Sequence, residues 1–65
     1  MQIPKITLEA ARVNAHLTQR EAAKELKISV ATLQNYESGR TTPDWSVVRR
    51  IEKLYKYPID FIFLP

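Results

Sequence analysis

The 65-residue chain contains no cysteine and a single histidine, His16. Without cysteine it can form neither disulfides nor thiolate metal sites, and this composition fits a reducing compartment. A lone histidine without further ligands at metal-binding spacing does not form a metal site. We therefore expect no metal and no cofactor, and a cytoplasmic protein.

Long apolar runs and glycine-rich loops are also missing from the sequence. No run approaches the roughly 20 apolar residues that span a membrane, and no secretory signal is visible. The only glycine is Gly39, so the chain has no glycine-rich phosphate loop. No nucleophile–base pair is apparent either. These absences predict that the protein is not an enzyme, has no catalytic residues, and uses neither a membrane nor a small-molecule ligand.

The length allows one domain, which we assign to residues 1–65. A domain of this size buries only about 60% of the surface that its unfolded chain exposes, which limits its stability to a few kcal/mol. The formal net charge of +3 is compatible with a nucleic-acid partner. Charge of this size is weak support when taken alone, because many small basic proteins bind nothing.

The stretch from Thr18 to Gly39 predicts two short helices joined by a tight turn. Thr18, followed three residues later by Glu21, is a capping box that begins the first helix. Ser29 is a good N-cap for the second helix, and Gly39 suits the left-handed residue that ends it. The rest of the chain is expected to hold this pair of helices rigid.

The second helix of the pair is expected to have two different faces. Leu33 and Tyr36 face the core, whereas the outward residues are Val30, Ala31, Gln34, Asn35 and Ser38. A DNA major groove is about 12 Å wide and admits one α-helix. The pair therefore suits a helix-turn-helix. Periodicity and caps alone leave a second interpretation open, a small helical bundle that happens to contain a helical hairpin.

A set of residues at fixed spacing through nearly the whole chain makes a more specific comparison possible. Its members are Arg12, Leu17, Thr18, Gln19, Ala23, Leu26, Ile28, Ser29, Leu33, Tyr36, Glu37, Gly39, Arg40, Pro43, Ile51, Ile59, Asp60, Ile62 and Phe63. This set resembles the phage Cro/repressor-type (Xre) helix-turn-helix family. The resemblance implies an all-α, five-helix, lambda-repressor-like DNA-binding domain, with the helix-turn-helix at about residues 18–38.

The same resemblance implies a prokaryotic or phage-encoded protein, and it implies a function. A transcriptional regulator would bind double-stranded DNA sequence-specifically, as a homodimer on its operator, and would repress by occupancy. Base contacts are implied for Val30, Ala31, Gln34 and Asn35. Phosphate contacts are implied for Gln19, Thr32, Arg40, Thr41 and Thr42. Arg12 would form a structural ion pair with Glu37, and a phosphate contact is the alternative role for Arg12.

Further helices are predicted on both sides of this pair. Thr7 can cap a first helix that reaches about Ala15, after an extended arm at Met1–Ile6 that packs on the core or brings Lys5 to a phosphate. Thr42 is predicted to cap a fourth helix, with Pro43 as its first residue. That helix would run from about Asp44 to Tyr55 and bury Trp45, Val48, Ile51, Leu54 and Tyr55. Residues 59–63 are predicted to form a short fifth helix.

Three helix ends depart from the family pattern. His16, Lys27 and Lys56 stand where glycine is common. Histidine tolerates left-handed backbone better than most residues, which accounts for its use at such a position. The departures concern the geometry of the turns and leave the predicted fold unchanged.

The C-terminal end of the chain supports an alternative function. Phe61, Phe63 and Leu64 exceed what one small core needs, and an exposed apolar set often marks a contact surface. The alternative is a protein-interaction module, antitoxin-like or an adaptor. Salt separates the two functions, because DNA affinity falls steeply with added salt and an apolar protein contact hardly responds.

Overall fold

The computed structural model describes residues 4–64, and the expectations for Met1, Gln2 and Ile3 lie outside this range. Within it the chain is mostly helical, as predicted. The elements in order are β1 (Ile6–Thr7), α1 (Leu8–Asn14), α2 (Gln19–Leu26), α3 (Val30–Ser38), α4 (Trp45–Tyr55), a 3₁₀ helix (Ile59–Phe61) and β2 (Ile62–Phe63).

Side-chain caps begin the first three helices at the predicted residues. The Thr7 hydroxyl accepts a hydrogen bond from Ala10 N–H at 3.0 Å. Thr18 and Glu21 form the complete capping box, with distances of 3.1 and 2.9 Å between the paired atoms. Ser29 Oγ accepts from Thr32 N–H at 3.0 Å and begins α3. Each cap satisfies a backbone N–H that the helix itself leaves unpaired.

Four connections use left-handed backbone. Gly39 ends α3 with φ 82°, while His16 follows α1 and Lys27 and Lys56 end α2 and α4 with φ between 54° and 61°. For a residue with a Cβ this conformation costs roughly 1–2 kcal/mol. The turns therefore keep the geometry that glycine would give, at three positions where the side chain disfavours it.

The core lies where the four α-helices meet. Its most deeply buried large side chains are Leu8, Leu26, Leu33 and Ile51. Ala22 and Ala23 of α2 are also buried, and their small side chains let neighbouring helices approach closely. One predicted core residue is wrong, because Trp45 is 69% exposed. Val47, which was not among the residues predicted to be buried, is part of the core instead.

The start of α4 differs from the prediction. Asp44 is the N-cap, and its Oδ1 accepts from Val47 N–H at 3.0 Å. Thr42 is therefore not the cap, and Pro43 is a buried residue that precedes the helix. The hydrogen bond from Val47 N–H is the main cause that lowers the pKa of Asp44. A carboxylate at this position also complements the helix dipole, which favours Asp44 over Thr42.

The predicted fifth α-helix is only a three-residue 3₁₀ helix, Ile59–Phe61. The chain then becomes extended, and β2 pairs in parallel with β1, Ile6 opposite Ile62 and Thr7 opposite Phe63. Ile62 is buried. The Tyr57 hydroxyl donates to the Pro4 carbonyl, so the two ends of the described chain are fastened side by side.

Candidate nucleic-acid interface

The turn between α2 and α3 is tight and well anchored. Lys27 takes the left-handed conformation, which lets Ile28 N–H reach back to the Ala23 carbonyl at 3.0 Å. Ile28 is half-buried and packs against the core. These contacts leave only three residues between the helices and fix the angle at which α3 leaves the turn.

The outer face of α3 presents small and amide side chains. Ala31 and Gln34 are exposed, and Asn35 is half-buried. Val30 is not fully outward as predicted, because its side chain packs partly against the core. The exposed part of this face therefore centres on Ala31 and Gln34, with Asn35 beside them. Glu37 is the one charged residue of α3, and it lies on the other side with only 7% of its side chain exposed.

The two ends of α3 carry the remaining predicted contact residues. At the start, the Thr32 hydroxyl is held by Ser29 Oγ at 2.8 Å. At the end, Arg40 N–H and Thr41 N–H both donate to the Asn35 carbonyl, at 2.9 and 3.3 Å. Arg40, Thr41 and Thr42 lie along the loop that leads to α4, where Arg40 and Thr41 are exposed. Threonine hydroxyls and an arginine guanidinium are groups that commonly bind phosphate oxygens.

Arg12 lies beneath this surface and joins three parts of the fold. Its Nε lies 2.7 Å from Glu37 Oε2, and only 10% of its side chain is exposed. Its Nη1 donates to the Leu17 carbonyl at 2.8 Å, just ahead of α2. The more exposed Glu9 carboxylate lies 3.7 Å from Nη2. Arg12 thus connects α1 to α3 and to the segment just before α2, and its guanidinium is directed into the fold.

Gln19 continues the contacts that start at Arg12. Its Nε2 donates to Glu37 Oε1 at 2.9 Å, and its Oε1 accepts from Gln34 Nε2 at 3.2 Å. The structure therefore brings together Arg12, Glu37, Gln19 and Gln34, which the sequence analysis had assigned to three separate roles. No periodicity signal could have revealed the contact between Gln19 and Gln34, because the two residues belong to different helices.

Comparison with known proteins agrees with this geometry. The Helix-turn-helix family model matches residues 8–62 of the chain. The chain belongs to the helix-turn-helix family. The predicted resemblance is thereby confirmed, and α2 and α3 both lie within the matched residues.

This helix-turn-helix chain is also similar to a curated protein. The HTH-type transcriptional regulator ImmR of Bacillus subtilis (strain 168) is 36% identical to it over 55 residues. The matched region covers 85% of the chain and 43% of that regulator, so the chain spans less than half of its relative's length. No solved structure gives a significant match.

Tyr55 of α4 is a buried polar residue that the sequence analysis treated only as core. The side chain is 4% exposed, and among residues 4–64 its hydroxyl has no hydrogen-bond partner. Burial raises the pKa of Tyr55 to about 12, and the nearby negative charge of Glu37 acts in the same direction. Tyr55 thus extends the buried polar group around Arg12 and Glu37.

Residues 4–64 contain no group of three histidine or acidic side chains that could hold a metal ion. Over the same range, every helix is too short or too polar to cross a membrane.

Proposed function

We propose that the protein binds double-stranded DNA through α3 and represses transcription by occupying an operator. The observation that carries this proposal is the uncharged outer face of α3, presented by a rigid pair of helices that both have side-chain caps. Membership of the helix-turn-helix family supports it, as does similarity to a protein named as a transcriptional regulator.

The base contacts of this proposal fall to the side chains on the outer face of α3. Gln34 and Asn35 carry amides, which can both accept from adenine N6 and donate to adenine N7. Ala31 and the exposed part of Val30 would pack against thymine methyl groups. Since the described face offers no arginine or lysine between Ser29 and Gly39, we expect half-sites rich in A·T pairs beneath α3.

Phosphate contacts would set the register of α3 in the groove. Gln19 is the first residue of α2, and only one hydrogen of its amide nitrogen is used by Glu37. The other hydrogen would donate to a phosphate near the positive end of the helix dipole. Thr32 would contact a phosphate near the start of α3. The loop residues Arg40, Thr41 and Thr42 would contact phosphates beyond its end.

The proposed form on DNA is a homodimer. A single small module buries about 600–1,000 Å² on DNA, which is little for specific repression. Two copies whose α3 helices lie about 34 Å apart would enter successive major grooves on one face of the duplex. The contacts between copies would come from residues 59–64 or from the loop at Arg40. Repression then follows because the bound dimer excludes polymerase.

Selection from a random pool of duplexes, followed by a salt titration, tests the proposal. Each phosphate contact contributes about −0.9 to the slope of log affinity against log salt concentration. We expect an enriched half-site and a slope that corresponds to several phosphates. An affinity for duplex that is independent of salt, or no affinity for any duplex, contradicts DNA binding.

A second candidate function is a protein-interaction module of the antitoxin or adaptor type. The observation that favours it is the apolar C-terminal end, where Phe63 is 51% and Phe61 is 36% exposed. A partner bound there would be held by burial of apolar surface, so its affinity would change little with salt. The salt titration therefore distinguishes the two candidates.

A further inference from the structure

One chain of hydrogen bonds connects the buried ion pair to the exposed face of α3. Arg12 Nε donates to Glu37 Oε2 at 2.7 Å, and Glu37 Oε1 accepts from Gln19 Nε2 at 2.9 Å. Gln19 Oε1 in turn accepts from Gln34 Nε2 at 3.2 Å. We call these four residues the polar relay. It begins at a nearly buried guanidinium on α1 and ends at an exposed amide.

The order of donors and acceptors along the polar relay is fixed by its two buried members. An arginine can only donate, and a carboxylate can only accept. Glu37 therefore requires the NH₂ group of Gln19, which turns the Gln19 carbonyl outward. That carbonyl in turn requires the NH₂ group of Gln34. If the amide of Gln19 were turned over, Gln19 Oε1 would face Glu37 Oε1, and neither of these acceptors could supply a hydrogen.

We propose that Glu37 is a positioning residue for sequence recognition. Through Gln19 it fixes which way the amide of Gln34 faces, because the Gln19 carbonyl accepts one of the two Nε2 hydrogens of Gln34. This inference deepens the proposed DNA-binding function and depends on it. Gln34 then offers one acceptor, Oε1, and one remaining hydrogen to the base edge.

The remaining groups of Gln34 discriminate between purines. Adenine presents a donor at N6 and an acceptor at N7, which match one acceptor and one hydrogen. Guanine presents acceptors at both O6 and N7, so it would need both Nε2 hydrogens. In the polar relay one of these hydrogens is already bonded to the Gln19 carbonyl, so guanine cannot receive both. The polar relay also orders the side chain before binding, which reduces the entropy lost on contact.

Replacement of Glu37 by glutamine should reverse this order of donors and acceptors. The carbonyl of the introduced amide is needed as the acceptor for Arg12, so its NH₂ group faces Gln19. Gln19 then turns over and donates to Gln34, which must accept with its own Oε1. Both Nε2 hydrogens of Gln34 become free for the base, which is the arrangement that guanine requires.

Glu9→Gln is the matched control for Glu37→Gln. It makes the same change of charge beside the same arginine, because Glu9 Oε2 lies 3.7 Å from Arg12 Nη2. Glu9 is outside the polar relay and is mostly exposed. If Glu37→Gln does not fold, the double variant Arg12→Met/Glu37→Leu removes both buried charges together with the acceptor for Gln19. Gln19→Ala interrupts the polar relay at a second residue, which is not part of the buried core.

The first experiment uses the free protein and requires no DNA. Scalar coupling through the hydrogen bond, measured by NMR, should connect Gln34 Nε2 to the Gln19 side-chain carbonyl carbon in the wild type and in Glu9→Gln. In Glu37→Gln the coupling should run instead from Gln19 Nε2 to the Gln34 carbonyl carbon. In Arg12→Met/Glu37→Leu no carboxylate fixes the amide of Gln19, so the original coupling should weaken. An unchanged coupling in the Glu37 variants, or its absence from the wild type, overturns the polar relay.

The second experiment measures affinity for the selected duplex with adenine or guanine at the position beneath Gln34. Wild type and Glu9→Gln should prefer adenine by about tenfold or more, the scale of one bidentate contact. Glu37→Gln and Gln19→Ala should each lose most of this preference. If both variants keep the preference for adenine, Glu37 does not position Gln34 for recognition, while the polar relay and DNA binding are unaffected by this result. If the wild type binds no duplex, the proposed function fails as well, while the NMR result still reports on the relay.

Discussion

Arg12 and Glu37 form an ion pair that connects α1 to the end of α3, with 2.7 Å between Arg12 Nε and Glu37 Oε2. At most 10% of either side chain is exposed, so both charges are largely removed from water. A buried pair recovers the cost of desolvation only when its remaining polar atoms are satisfied. Here Leu17 and Gln19 supply the additional partners.

A double-mutant cycle measures how strongly Arg12 and Glu37 are coupled. Arg12→Met or Glu37→Leu alone leaves one buried charge without its partner and should lower the free energy of unfolding by about 3–5 kcal/mol. The double variant should lose much less than the sum of the single losses. Urea denaturation of the four proteins gives the values. Additive losses would show that the two residues act independently and would favour a phosphate contact for Arg12.

Tyr55→Phe tests the cost of the buried hydroxyl. Since this hydroxyl has no partner among residues 4–64, its removal should leave the free energy of unfolding unchanged or raise it slightly. The wild type should also lose stability as the pH rises from about 10 to 12, because the unfolded chain releases the tyrosine proton first. The loss amounts to at most about 2–3 kcal/mol. Tyr55→Phe should have a flatter profile over this range, and an equal fall in both proteins contradicts the assignment.

Arg40→Ala tests the phosphate contacts of the loop after α3. We expect weaker binding to all duplexes alike, together with a salt slope that is smaller by about one. Arg49→Ala on the exposed face of α4 is the control, since it removes the same charge from a different element. Fluorescence anisotropy at several salt concentrations gives both slopes. Equal effects of the two substitutions would mean that Arg40 contributes only net charge.

Asn35→Ala tests base recognition by α3 beside Gln34. On the selected site it should cost about 1–3 kcal/mol of binding free energy, and on random DNA almost nothing. Asn14→Ala is the control, because it makes the same change at an exposed position of α1. Competition binding against the selected site and random DNA measures how much more tightly the protein binds the specific duplex. If the ratio of specific to non-specific affinity is unchanged, Asn35 does not read the sequence.

Phe63→Ser tests the C-terminal end as the contact between two copies on DNA. The side chain is 51% exposed, so the substitution should weaken dimer formation on the operator more than it weakens folding. Val13→Ser, at a 57% exposed position of α1, is the control. Sedimentation with labelled operator reports the stoichiometry. Full affinity for a single half-site at a stoichiometry of one would contradict the dimer.

The parts of the fold that depend on local signals were predictable from the sequence. Thr7, Thr18 and Ser29 each cap a helix through an atom three residues away, so the signal and its effect lie in one short window. The start of α4 was ambiguous for the same reason. Thr42 and Asp44 can both act as caps, and in the structure it is Asp44 Oδ1 that accepts from a helix N–H, that of Val47.

Features that depend on distant partners were not predictable in this way. The apolar run at residues 59–63 suits a helix or a strand, and the pairing with β1 at the other end of the chain decides the outcome. Trp45 is hydrophobic, yet as the first residue of α4 it lies beyond the surface that the other helices cover. The candidate contact residues came from the family resemblance, whereas the hydrogen bond between Gln19 and Gln34 depends on how α2 and α3 pack together.

The pairing of β1 with β2 also has a kinetic consequence. Contacts between neighbouring helices close short loops, but this pairing joins residues from opposite ends of the chain, and the entropy cost of closing a loop rises with its length. The helical pair should therefore assemble before the ends meet. In the native state the same pairing should open first, since it rests on two residues in each strand. Such opening uncovers Ile62 while the α2–α3 unit stays folded.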